Sequence, residues 1–139
     1  EVPRGERRRR PEVLRPQEAI AGLLAGREPV PVSVSLLLRA RADLDSGRLR
    51  EAALQLRAGL EALLKELDRD PIEAPPGEAL ERHRDDLREL RGRRPEVADA
   101  AAGALGGELG REHTDAVAET LAICERVLRR RRVQSRAIR

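Results

Sequence analysis

Residues 48–67, RLREAALQLRAGLEALLKEL, decide the fold of this chain. Their apolar side chains recur every three or four residues, the spacing that places them on one face of an α-helix. The members of this apolar stripe are Leu49, Ala52, Ala53, Leu56, Leu60, Leu63, Leu64 and Leu67. Arg50, Arg57 and Lys65 lie on the opposite side. The pattern predicts an amphipathic helix over 48–67 that buries its leucines against other helices.

Similar patterns extend outward from this segment. They predict helices over 32–46, 78–91 and 112–131, a short helix over 17–25, and an alanine-rich helix over 95–109 whose glycines mark a frayed end or a close crossing. Gly47 is the expected stop of the helix over 32–46. No stretch has the alternation of a strand. We predict an all-α fold, an antiparallel bundle of four main helices plus a short N-terminal helix.

The composition excludes several classes of function. The chain has 139 residues with no Phe, Tyr or Trp, so it lacks the aromatic platforms on which proteins stack bases. One cysteine forms no internal disulfide. The longest uncharged stretch, 29–38, is too short to span a bilayer and contains two prolines. No apolar run follows the N-terminal arginines, so we expect no signal peptide.

Charge is concentrated at the two ends of the chain. Residues 1–15 carry six arginines against three glutamates, residues 129–139 carry six arginines and no acid, and the whole chain is +3. We therefore divide it into a basic arm (1–16), a helical body (17–131) and a basic tail (132–139). The candidate anion-binding residues are Arg7, Arg8, Arg9, Arg10, Arg129, Arg130, Arg131 and Arg132. They either contact the phosphates of nucleic acid or lipid headgroups, or are solvated, since arginines at the end of a helix suit its dipole.

His83, His113 and Cys124 are the residues most often used in catalysis or metal binding. Neither histidine has the spacing of a known helical metal motif, and we expect His83 at the edge of the core. Eleven residues separate His113 from Cys124, about 16 Å along a helix, too far for a thiolate–imidazolium pair. We predict that Cys124 is a buried core residue and that the chain has no catalytic residue, metal or cofactor.

The acidic motif Asp85-Asp86-x-x-Glu89 resembles the magnesium–diphosphate motif of prenyl-transferring helical enzymes. Those enzymes have two such motifs around a deep cavity, whereas this chain has one and is too short for the cavity. We interpret the motif as a solvated helix face in which Asp85 pairs with Arg88 or Arg82.

The segment 33–67 partly resembles a tetratricopeptide repeat. The matching positions are Ala40, Gly47, Ala52, Leu56 and Gly59, and the pattern is broken at Arg39, Asp43 and Leu64. No second copy occurs in 78–131, and a repeat needs neighbours to bury its faces. We interpret the segment as a generic helical hairpin.

These observations predict a non-enzymatic helical interaction or structural module, as a soluble part of a larger membrane-attached or multidomain protein or by itself. The alternative is nonspecific binding of nucleic-acid phosphates through the arginine-rich ends. We expect a protein partner or self-association, no small-molecule substrate, and a cytoplasmic location that is membrane-proximal if the chain belongs to a longer protein.

Overall fold

Within residues 29–138, five α-helices pack against one another. They are α1 (Val32–Asp45), α2 (Leu49–Arg69), α3 (Glu78–Gly92), α4 (Arg94–Gly106) and α5 (Arg111–Ile138). The computed structural model describes residues 29–138 and the side chains of 29–136, and this part of the chain contains no strand. The all-α prediction is confirmed: the five helices correspond to the segments predicted over 32–46, 48–67, 78–91, 95–109 and 112–131, one more than the four main helices of the predicted bundle. The basic arm and the predicted helix over 17–25 lie outside the described residues.

The apolar stripe of α2 forms the centre of the core. Leu56 is fully buried and Leu60 is 1% exposed, while Leu54, off the stripe, is 36% exposed. Helix α1 packs closely on α2 at Gly59, where an added Cβ would lie only 2.7 Å from Cδ2 of Leu37. A side chain at position 59 would therefore force Leu37, or α1 itself, to shift.

The turn between α1 and α2 depends on Gly47, as predicted. Gly47 has a φ of +79°, a left-handed conformation that glycine adopts without steric cost. Its N–H donates to the carbonyl of Leu44 at 3.1 Å, and the N–H of Arg48 donates to that of Asp43 at 2.8 Å. This pair of hydrogen bonds is the Schellman motif, which satisfies the last carbonyls of α1.

Helix α4 contributes small side chains to the core and ends at Gly106, three residues before the predicted end. Nη1 of Arg50, on α2, donates to the carbonyls of Gly103, Ala104 and Gly107 at 3.3, 3.2 and 3.4 Å. An added Cβ on Gly103 would lie 2.9 Å from the carbonyl oxygen of Glu108. The chain thus turns back over its own helix end, which explains the glycine at 103.

Helix α5 is the longest element and contacts each of the other four helices. Its 28 residues extend about 42 Å. Val117, Leu121, Cys124 and Val127 are fully buried along its inner face. The helix continues seven residues past Arg131, so residues 132–138 of the predicted tail are helical.

Candidate functional site: the arginine-rich end of α5

The four consecutive arginines at 129–132 point to different sides of α5. Each residue of an α-helix is rotated by about 100° from the last, so two of the four turn toward the body. The side chains of Arg130 and Arg131 are 26% and 18% exposed, whereas Arg129 and Arg132 are exposed. The run therefore consists of two inward and two outward arginines.

Arg131 joins α5 to the start of α1 and the end of α2. Its guanidinium donates to Oε1 of Glu66 at 2.9 Å and to Oγ of Ser33 at 3.0 Å. Ser33 donates its N–H and its hydroxyl to the same carboxylate, at 3.0 and 2.5 Å. Burial raises the pKa of Glu66, but the hydrogen bonds from Ser33 and Arg131 outweigh it, and the pKa lies below its ordinary value. Glu66 thus caps α1, whose N-cap Pro31 makes no side-chain bond.

Arg130 joins α5 to α3 through Asp86 and His83. Asp86, 8% exposed, accepts from Arg126 at 2.9 Å and from Arg130, and these arginines hold its pKa below the usual value despite burial. Nη1 of Arg130 also lies 3.0 Å from Nδ1 of His83. Because a guanidinium only donates, Nδ1 must be the acceptor, and the imidazole is neutral with its proton on Nε2. Burial, and then the positive charge of Arg130, lower the pKa of His83 accordingly.

This contact corrects the interpretation of the acidic motif. Asp85 pairs with Arg88 at 2.7 Å and Glu89 with Arg93 at 2.8 Å, on the outside of α3. Asp86 is not on a solvated face, because its partners come from α5, about 40 residues later. Within residues 29–138 no three His, Cys, Asp or Glu side chains are grouped to hold a metal ion.

His113 and Cys124 have separate structural surroundings. Nδ1 of His113 accepts the N–H of Gly110 at 3.0 Å, and Nε2 lies 3.1 Å from Asp99. His113 therefore helps to start α5. Cys124 is fully buried, and burial raises the pKa of its thiol to about 12, as expected for a core residue.

The outward arginines belong to a longer row. Arg129, Arg132 and Arg136 are spaced three and four residues apart, so they share one side of α5, and all are exposed. Their α-carbons span about 10 Å of helix axis. Among the residues that the structure describes, none of the three has an ion-pair partner. We call these three residues the basic row; exposed Val133 lies beside them.

A groove between α2 and α4 also has arginines on its rim, Arg57, Arg91 and Arg94. Arg94 donates twice to Glu61, at 2.7 and 2.8 Å, and Arg91 pairs with Asp68 at 3.3 Å. Two of the three cations are therefore already neutralised, which makes this groove a weaker anion site than the basic row.

The sequence analysis missed the inward roles of Arg130 and Arg131, although the sequence contains a signal for Arg131. The apolar seam Val117, Leu121, Cys124 and Leu128 advances by four, three and four residues, and its next step falls on Arg131. A charged residue in line with a buried seam indicates a partner inside the fold.

No family model matches the chain, and comparison with curated proteins and with solved structures found no match. Within the described range, none of the helices combines the length and apolar character needed to cross a membrane.

Proposed function

We propose that this chain is a non-enzymatic helical interaction module. The proposal rests on the difference between the charged side chains that bind inside the fold and those that face outward. Apart from the Cys124 thiol, the least exposed ionisable groups, Glu66, Asp86 and His83, all serve contacts between helices, whereas the basic row faces outward with no partner in the described part of the chain. Groups that hold helices together are not available for chemistry, while outward charges are available to a partner.

The finer architecture that we propose is an antiparallel bundle. Ser33, near the start of α1, meets Arg131 near the end of α5, and Arg41, further along α1, meets Glu125, earlier on α5. These contacts support opposite directions for α1 and α5. We further propose a cytoplasmic location, with the module free or part of a membrane-attached or multidomain protein.

A second candidate function, binding of nucleic-acid phosphates, is favoured by the basic row itself. A guanidinium forms strong, often bidentate hydrogen bonds with phosphate. Without aromatic residues in the chain, such binding would follow the sugar–phosphate backbone and show little preference for base sequence.

Both candidates are tested by measuring binding of the intact chain to a labelled DNA duplex, an RNA and anionic vesicles, together with its self-association. If phosphates are the ligand, replacing Arg129, Arg132 and Arg136 by Ala weakens binding and lowers the salt slope by about 0.9 per lost contact. The matched control replaces Arg39, Lys65 and Arg69, three exposed basic residues of α1 and α2, and removes the same charge.

Equal losses in the two triple variants would mean that net charge alone drives binding, against a phosphate site on α5. A chain that binds none of these ligands and does not self-associate at about 50 mM salt, where exposed charges are weakly screened, would contradict the interaction-module proposal itself.

A further inference from the structure

The first half of α5 carries an acidic counterpart of the basic row. Glu112, Asp115 and Glu119 are also spaced three and four residues apart, and all three are exposed. Glu119 has one contact with Arg93 at 3.2 Å, but its side chain remains 62% exposed. We call these three residues the acidic row. Apart from Arg111 at its start, the exposed charged side chains in the first half of α5 are acidic, whereas those in its second half are Arg126, Arg129, Arg132 and Arg136.

The two rows are in register for a helix that meets its own copy in the opposite direction. The pairs Glu119 with Arg129 and Glu112 with Arg136 are both centred on residue 124, and Asp115 with Arg132 is centred half a residue before it. When two identical helices lie antiparallel about a twofold axis, residues equidistant from the midpoint face each other. All three acidic positions are therefore level with arginines of the other copy to within half a residue.

The positions of the two rows around the axis of α5 are also compatible with this pairing. Asp115, Ala122, Arg129 and Arg136 repeat every seven residues, so they stay on one line where two helices cross in a left-handed sense. The other members of the two rows flank that line. Ala122 lies between the two rows, and its small side chain allows close approach of the helix axes.

We propose that two copies of this chain associate through the outward face of α5, the basic row of each copy on the acidic row of the other. This inference rests on the proposed interaction function and names its partner. Acidic residues near the start of a helix and arginines near its end also suit the helix dipole, but the dipole does not require the two rows to match in spacing. Exposed ion pairs are individually weak and screened by salt, so the association is weak and salt-sensitive.

A charge-reversal experiment distinguishes pairing between two copies from a mere match of the charges to the helix dipole. One variant carries Arg129→Glu, Arg132→Glu and Arg136→Glu; the other carries Glu112→Arg, Asp115→Arg and Glu119→Arg. Sedimentation velocity is measured on the wild type, on each variant and on their equimolar mixture. At about 50 mM salt we expect the wild type to dimerise, each variant alone to be monomeric, and the mixture to form a heterodimer. At about 500 mM salt all samples become monomeric.

Dimer formation in the mixture is the decisive result. Mixing does not change the charges within either helix, so it cannot improve their interaction with that helix's own dipole. Circular dichroism checks that each variant is folded. If a reversal prevents folding, the same residues are replaced by Gln, and each neutral variant is expected to lose the salt-sensitive association.

Wild type that stays monomeric at low salt, variants that dimerise like the wild type, or a mixture that remains monomeric would each overturn the proposal. A monomeric wild type that binds duplex through the basic row would overturn only the self-pairing and favour nucleic acid. A monomeric wild type that binds no ligand tested would overturn the proposed interaction function as well.

Discussion

Replacing Arg131 by Met should destabilise the fold, whereas replacing its neighbours Arg129 or Arg132 by Met should not. The Met side chain keeps much of the aliphatic stem, so the change isolates the guanidinium. Arg131 makes two hydrogen bonds, to Glu66 and Ser33, and the side chains of Glu66 and Arg131 are only 12% and 18% exposed.

The loss of stability in Arg131→Met depends on the interactions that the Glu66 carboxylate keeps when the guanidinium is removed. Removing one partner of a fully buried ion pair costs about 3–5 kcal/mol, and a hydrogen bond to a charged group contributes about 1.5–3 kcal/mol. Glu66 keeps both hydrogen bonds from Ser33 and has slight access to water. We therefore expect Arg131→Met to lower the free energy of unfolding by about 2–3 kcal/mol, and Arg129→Met or Arg132→Met to change it by less than about 0.5 kcal/mol.

Urea unfolding at neutral pH, followed by circular dichroism, measures all three variants. The double variant Arg131→Met with Glu66→Gln should recover part of the loss, because it leaves no unpaired carboxylate. If Arg129→Met or Arg132→Met cost as much as Arg131→Met, the assignment of inward and outward arginines would be refuted.

Three other predictions concern the core and the junction of α3 with α5. Leu56→Ala should cost about 2–5 kcal/mol in urea unfolding while Leu54→Ala costs much less; a larger loss at Leu54 would contradict the assigned face of α2. Cys124 should react more slowly with a thiol reagent in the folded chain than in denaturant, because it is buried and its pKa is about 12; equal rates would contradict this. Because the pKa of His83 is lowered in the folded chain, the unfolded chain binds a proton more readily below about pH 6.5. The free energy of unfolding therefore decreases as the pH is lowered. His83→Gln, which can still accept from Arg130, should flatten the stability curve below about pH 6.5, and an unchanged slope would argue against His83 as the cause.

The sequence predicted the existence and faces of the helices because hydrophobic period is a local property. The stripe of α2, the glycine turn at 47 and the buried Cys124 needed no knowledge of distant residues. The roles of Asp86 and Arg131 could not be predicted in this way. The local sequence around a charged residue does not show whether water solvates it or a partner about 40 to 100 residues away pairs with it. Arg50 similarly belongs to the polar side of α2, yet it caps α4, because the crossing of those helices brings the carbonyls of 103–107 within its reach.

The contact of α5 with all four other helices affects how the chain folds as it is made. Of the five described helices, α5 leaves the ribosome last, and the leucine face of α2 lacks this covering until then. The hairpin of α1 and α2 joins neighbours in sequence and can form early, whereas the contacts of Arg131 with Ser33 and Glu66 close loops of 98 and 65 residues. Nascent chains halted before α5 should therefore expose apolar surface and depend on chaperones until α5 packs against the other described helices.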